Sequence, residues 1–305
     1  MKRLLCVTYA DGETEEWPIG AETAAGALRR RCAHADGRQR PSFAFRGLRA
    51  RPYWDADVRP PSIAAVCDAL EASFDAIERE VRMLCRRLLR TGGDGDSDSD
   101  GDGDSDGDSD GAGGGDGDGD SAASSERCRS GEPSWAGHAE GLHSGVWQKL
   151  DLWSGGHKCT SNCERLPRTS ALIEQLSARH DGAVMLEPPG RCYVSLMLPG
   201  TRVAPHCGPT NHRLRLHLPI FLPEVAGAQR LGIVVAGTTR EWERGRCLVF
   251  DDSFEHEVQL PPVAPGTVPT PRVLLVVDLW HPQAGPLFDR GARTASHAPD
   301  AGRFR

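Results

Sequence analysis

The sequence has no run of about 18 consecutive apolar residues, which argues against a membrane-spanning helix. Its opening, "MKRLLCVTYADGETEEW", carries two positive charges, but the apolar stretch stops too early to form the core of a signal peptide. Aromatic residues are few and do not interleave with arginine clusters, so nothing suggests stacking on single-stranded nucleic acid. The ten cysteines are scattered, and only Cys159 and Cys163 lie close together. That CxxxC spacing is weak support for either a zinc site or a disulfide. The remaining pattern suggests reduced thiols and slightly favours a cytoplasmic location.

What the chain does have is a run at 92–121 made only of Gly, Asp, Ser and one Ala. Such a composition buries no apolar surface to offset the entropy of ordering, so the expectation is a solvated linker excluded from the fold. Calcium binding is a poor alternative, because the run lacks the aliphatic anchor of a β-roll repeat and the bidentate Glu of an EF-hand loop. With its twelve aspartates set aside, the formal charge of −7 becomes +5 for the rest of the chain. The low pI therefore describes the insert and says little about substrates.

Periodicity divides the remainder. Residues 1–45 offer a hairpin around Asp11-Gly12 and otherwise no role. Within 46–91, Ile63, Val66, Leu70, Phe74, Ile77, Val81, Leu84 and Leu88 recur at three- and four-residue steps. This predicts one long amphipathic helix from Ser62 to about Arg90, capped by Ser62, with a coiled coil as the rival reading. The segment 92–126 is the acidic insert, 127–285 the core and 286–305 a tail. The core begins with a strand at "WQKLDLW" and a short helix at "TSALIEQLSAR", capped by Thr169 or Ser170. Then come β-like segments in series: "CYVSLML", "HRLRLHLPIF", "LGIVVA", "RCLVFDD", "HEVQL" and "RVLLVVDLW". Short strands between Gly- and Pro-rich turns argue for a sandwich or barrel.

One of those strands is chemically unusual. In extended chain, Arg213, Arg215 and His217 share one face and Leu214, Leu216 and Leu218 the other. A solvated outer face is the plain explanation. Yet His206 stands just before it in "PHCGPTN", where Gly and Pro suggest a loop, and His256 follows among Asp251, Asp252, Glu255 and Glu257. Two imidazoles with facing guanidinium groups would suit a metal ion and an anionic co-ligand.

The ordered blocks "SLMLPGTRVAPHCGPTNHRLRLHL", "WERGRCLVFDDSFEHEV" and "RVLLVVDLWHP", with "LRARPYWDADVRPPSIAAVCDALEASFDAIERE" and "WQKLDLWSGGHKC" upstream, resemble the aspartyl/asparaginyl β-hydroxylase family of iron- and 2-oxoglutarate-dependent oxygenases. The likeness covers roughly residues 48–90 and 130–283. It implies a mainly β fold with bracing helices, a double-stranded β-helix or cupin-like jelly-roll barrel. It implies Fe(2+) held by His206 and His256, with Gly208 standing where related oxygenases carry a carboxylate ligand. Asp251 and Asp252 are the obvious substitutes for that missing ligand, but the expectation favours a turn and hydrogen bonding to His256. The resemblance also implies Ser195 and Arg272 at the distal carboxylate of 2-oxoglutarate, and Arg215 and His217 near its proximal carboxylate and the metal. Arg213 is left for the side chain of the substrate. Trp147 lines the same pocket or is a core tryptophan. His206, His256 and Arg215 form the implied catalytic set.

The implied reaction uses O2 and 2-oxoglutarate to hydroxylate the β-carbon of Asp or Asn in a protein or peptide, releasing succinate and CO2. An oxygenase acting on a free amino acid or small acidic metabolite, or a non-catalytic jelly-roll module, are the alternatives. His212 is expected in a loop, and His281 is expected to make backbone contacts.

Overall fold

The computed structural model describes residues 4–8, 14–18, 39–41, 45, 47–85, 135–137, 142–179, 183–224, 231–263 and 269–284. The acidic insert, the C-terminal tail and the part of the expected long helix beyond residue 85 lie outside the described residues. Strands β1 (Leu4–Thr8) and β2 (Thr14–Pro18) pair antiparallel, as the hairpin reading requires.

Helices α1 (Pro61–Ala72) and α2 (Phe74–Leu84) correct the single-helix expectation. The apolar stripe runs on across Ser73, but that residue adopts φ −95° and ψ 6°, and the helix breaks there. Ser62 is not the cap. Pro60 occupies that position, with Pro61 in the first turn, where a missing N–H costs nothing. Ile63, Val66 and Leu70 of α1, with Ile77 and Val81 of α2, enter the main core, so the helices brace the barrel and do not form a coiled coil.

Helices α3 (Thr160–Cys163) and α4 (Pro167–Ala178) follow the first long strand. Thr169 and Ser170 do not cap α4, which starts at Pro167 after Leu166. Its open N–H groups are met by another helix. The Glu80 carboxylate of α2 accepts from Arg168 N at 2.8 Å and from Thr169 N and Oγ1 at 3.0 and 2.7 Å.

The remaining strands are β3 (Ala136–Gly137), β4 (His143–Ser144), β5 (Trp147–Ser154), β6 (His157–Lys158), β7 (Arg191–Met197), β8 (Arg202–His206), β9 (Arg213–Phe221), β10 (Gly232–Val235), β11 (Thr238–Glu241), β12 (Leu248–Phe250), β13 (His256–Gln259) and β14 (Arg272–Trp280). They form two antiparallel sheets, one ordered β12-β9-β14-β7-β5-β3 with β6 on β5, the other β11-β10-β13-β8-β4. From β7 to β14 the chain passes repeatedly between the two sheets, the winding of a double-stranded β-helix. The fold is the expected jelly roll.

The larger sheet is buried on both sides. Leu214, Leu216 and Leu218 of β9 and Val273, Leu275 and Val277 of β14 face the helices, each fully buried leucine contributing about 2 kcal/mol. Tyr193, Met197, Leu274 and Val276 face inward, against Val203, Ile233, Val235 and Val258 of the smaller sheet. Arg213 and His217 are buried in that same interior, so the solvated-face explanation of β9 fails.

The cysteine expectation needs one correction. Cys159 is disulfide-bonded, while Cys163 is a free, buried thiol donating to Leu152 O at 3.4 Å. The CxxxC pair is therefore neither a zinc site nor a mutual disulfide.

Glu80 should matter for stability alone. Glu80→Ala leaves the first turn of α4 without acceptors and is expected to cost about 1 kcal/mol. That corresponds to a melting temperature lower by about 2–4 °C, read by calorimetry.

Candidate active site

The first strand pair of the site is β8 against β13, where His206 and His256 are direct register partners. Their ring centroids are 4.1 Å apart. His206 ends a strand and does not sit in the loop that its Gly- and Pro-rich surroundings suggest. Each ring holds its Nδ1 2.9 Å from a backbone carbonyl two residues earlier, Ala204 O for His206 and Phe254 O for His256. A carbonyl only accepts, so Nδ1 carries the proton in both rings and the lone pair stands on Nε2. That is the tautomer a metal ligand needs. Burial, with His206 beside it, pushes the pKa of His256 down to about 3, which keeps the ring neutral.

The loop before His256 is clamped from outside. Gln39 forms an antiparallel bridge with Phe254 and donates to Asp251 Oδ2 at 3.0 Å. Arg40 N donates to Ser253 O at 3.0 Å, Asp251 N to Pro52 O at 3.1 Å, and Trp54 N to Val249 O at 2.9 Å. Gln39 and Arg40 thus belong with the core although they precede its expected boundary.

Asp252 does not hydrogen-bond His256, contrary to expectation; the Phe254 carbonyl takes that part. Asp252 pairs with arginine instead. Arg213 Nη2 lies 2.5 Å and Arg215 Nη1 3.4 Å from Asp252 Oδ2. Burial alone would raise the Asp252 pKa, but the two guanidinium groups outweigh it and hold the carboxyl at about 2. Asp251 forms the expected turn, accepting from Ser253 N at 3.0 Å.

Asp278, at the far end of β14, completes the cluster. Its Oδ1 accepts from Arg215 Nε at 2.9 Å, and its Oδ2 lies 3.4 Å from Arg213 Nη1. Asp278 is absent from the residues expected on sequence grounds. Its place two, four and six residues beyond Val276, Leu274 and Arg272, in an otherwise apolar strand, is the signal that marks it as inward-facing. Beside this cluster, a Cβ placed on Gly208 would stand 2.6 Å from Asp252 Cγ and Oδ2. Among the described residues no three His, Cys, Asp or Glu side chains could together hold a metal ion. A metal at this site would have the two histidines as its protein ligands.

The other end of the barrel interior carries Arg272. It is buried, and its Nη2 donates to Ser195 Oγ at 2.8 Å. Trp147 Nε1 reaches the same oxygen at 3.1 Å, which puts Trp147 in this group. Guanidinium and indole are both donors only, so Ser195 accepts twice and has its own O–H left to give. Arg272 has no carboxylate partner among the described residues, its Nε has no hydrogen-bond partner, and burial lowers its pKa to about 9. A buried cation with no acid beside it, next to a hydroxyl with a proton to donate, fits an incoming carboxylate. Between the two ends lies His217, buried, with Trp242 Nε1 3.3 Å from its Nδ1.

The family model described as aspartyl/asparaginyl beta-hydroxylase matches residues 118–282, more than half of the chain. The chain belongs to the aspartyl/asparaginyl β-hydroxylase family. It is 40% identical over 142 residues to the aspartyl/asparaginyl beta-hydroxylase of Mus musculus, covering 47% of this chain and 17% of that protein. It is 39% identical over 139 residues to the mouse aspartate beta-hydroxylase domain-containing protein 2, covering 46% of this chain and 37% of that protein. The match thus spans well under half the length of these relatives. Solved structures align more loosely. A Burkholderia pseudomallei oxidoreductase of the 2OG-Fe(II) oxygenase family gives 12% identity and a TM-score of 0.34 over 54% of this chain and 80% of its own. A Pseudomonas putida prolyl-4-hydroxylase gives 17% and 0.28 over 53% and 84%. The jelly-roll assignment rests on the strand order described above.

Two further histidines stay outside the cluster. His212 bonds Thr210 Oγ1, and His281 Nε2 lies 3.1 Å from Arg49 O, the backbone contact expected of it. Burial lowers the pKa of His212 to about 3 and of His281 to about 4. Both values lie below the ordinary histidine value, so the unfolded chain binds protons that the folded one refuses. Their contribution to stability is complete above about pH 6.5 and is lost as pH falls toward 4. Urea unfolding should show this loss, and His281→Gln should flatten the slope by up to about 1.4 kcal/mol per pH unit.

Proposed function

We propose that this barrel is an Fe(II)- and 2-oxoglutarate-dependent dioxygenase that hydroxylates the β-carbon of Asp or Asn residues in a protein or peptide. The observation that carries the reading is Arg272, a buried guanidinium with no acid of its own among the described residues, at one end of an interior whose other end holds two histidines with their Nε2 lone pairs. A dicarboxylate whose other end reaches a metal answers both.

In this reading His206 and His256 would hold the iron, their rings fixed by the carbonyls of Ala204 and Phe254. When bound, iron(II) with O2 and 2-oxoglutarate supplies the oxidising power, with one oxygen atom ending in succinate, the other in the substrate, and CO2 released. Arg272, Ser195 and Trp147 receive the distal carboxylate. His217 and Arg215 stand nearer the proximal one. Arg213, anchored by Asp252 and Asp278, presents positive charge to an acidic or amide side chain of the substrate. The apolar inner residues exclude water from the reacting C–H bond, and the fixed groups supply orientation.

The test measures succinate formed from 2-oxoglutarate in air with added iron(II), with Asp- and Asn-containing peptides screened for a product heavier by one oxygen atom. His256→Ala should reduce turnover by at least about 100-fold, as loss of one of two ligands predicts. Arg272→Leu should raise the KM for 2-oxoglutarate by about 30-fold or more, the loss expected for a buried charged partner. Turnover on a free amino acid but on no peptide would move the substrate to a small metabolite. Absence of both turnover and 2-oxoglutarate binding in iron-replete protein would leave a binding barrel and overturn the proposal.

A further inference from the structure

We infer that Trp242 is the positioning residue of the co-substrate pocket, setting His217 as a hydrogen-bond donor with its indole N–H while seating the Arg272 guanidinium on its ring face. The inference rests on the reading of this pocket as the 2-oxoglutarate site.

Trp242 follows β11 and is buried. Its backbone N–H donates to Leu231 O at 2.8 Å, which fixes where the side chain starts. The indole Nε1–H is a donor with no acceptor capacity. It lies 3.3 Å from His217 Nδ1, so that nitrogen accepts. An imidazole that accepts at Nδ1 is neutral and carries its proton on Nε2.

This arrangement is the reverse of that in the two histidines across the barrel. His206 and His256 carry their protons on Nδ1, toward backbone carbonyls, and their lone pairs on Nε2. The three rings are thereby sorted by the group each faces: carbonyls make two of them ligands, and an indole makes the third a donor. A ring whose free nitrogen carries a proton cannot compete for the metal and can bind a carboxylate.

The same indole acts on Arg272. The Arg272 guanidinium carbon lies 4.9 Å from the Trp242 ring centroid, within range of a cation–π contact. Ser195 holds the guanidinium from one edge and Trp242 supports it on a face. With no acid beside it among the described residues, Arg272 is oriented by these two neighbours. Trp242 therefore links the two groups assigned to opposite ends of one dicarboxylate.

Trp242→Phe separates the two effects, because it keeps an aromatic face and removes the N–H. The tautomer of His217 is read by 15N NMR, and 2-oxoglutarate affinity by calorimetry on zinc-loaded protein, which binds without turnover. In the wild type His217 should carry its proton on Nε2. In Trp242→Phe the Nδ1–H form should appear and the Kd for 2-oxoglutarate should rise by about tenfold, the loss expected for one hydrogen bond to a charged group. Trp242→Leu, which also removes the face, should weaken binding further. A merely structural role would lower the melting temperature and leave the tautomer unchanged.

A wild-type His217 protonated on Nδ1 would overturn the inference even if neither variant folds. So would wild-type-like tautomer and affinity in Trp242→Phe. Normal 2-oxoglutarate binding by the wild type in that case leaves the proposed function standing. Failure of the wild type to bind 2-oxoglutarate removes the pocket assignment itself, and the role of Trp242 with it.

Discussion

The interior of this barrel depends on the pairing of Arg213 and Arg215 with Asp252 and Asp278. Removing charges from water costs several kcal/mol per ion, and the cost is met only where opposite charges and hydrogen bonds are well placed. Here two acids from separate segments, β14 and the loop before β13, lie between two arginines of β9. The pairing ties these segments together across the inner face and keeps one side of β9 polar while its leucines pack on the helices. Arg272 stands outside this balance: it is buried, its Nη2 rests on Ser195, and it has no carboxylate partner among the described residues.

Proton placement gives the site its second layer of order. Gln39, Arg40, Pro52 and Trp54 hold the segment that carries the Phe254 carbonyl. That carbonyl sets the His256 tautomer, so hydrogen bonds on the outside of the barrel help decide which nitrogen faces its centre. Residues that precede the barrel in sequence thus gain a part in the candidate site that their composition does not suggest.

Much of the β architecture is legible in the sequence because strands with one polar side and one apolar side announce their period. Strand β9 is the clearest case, and β14 follows as an apolar run broken by one acid. Strand β8 is not legible, since Arg202, Ala204 and Pro205 are exposed and a proline interrupts it. Strand β11 is polar throughout. The break at Ser73 escapes periodicity because three- and four-residue steps carry the same stripe across it. The caps mislead for one reason: proline in the first turn and a glutamate from another helix take the part that nearby serine and threonine suggest for themselves. For the site, His206, His256, Ser195 and Arg272 emerge from resemblance to ordered motifs. The partners of the arginines depend on long-range register, which spacing along the chain does not encode.

Gly208 and Asp252 have a consequence for how such a site could change. The space a side chain at 208 would enter is already held by the carboxylate that neutralises Arg213. A side chain could be introduced there only if Asp252 moved or were lost, and losing Asp252 leaves Arg213 and Arg215 sharing one acid, Asp278. Either order passes through a damaged intermediate. The two positions are therefore epistatic, and a lineage built this way is held to glycine at 208 by the history of its neighbours.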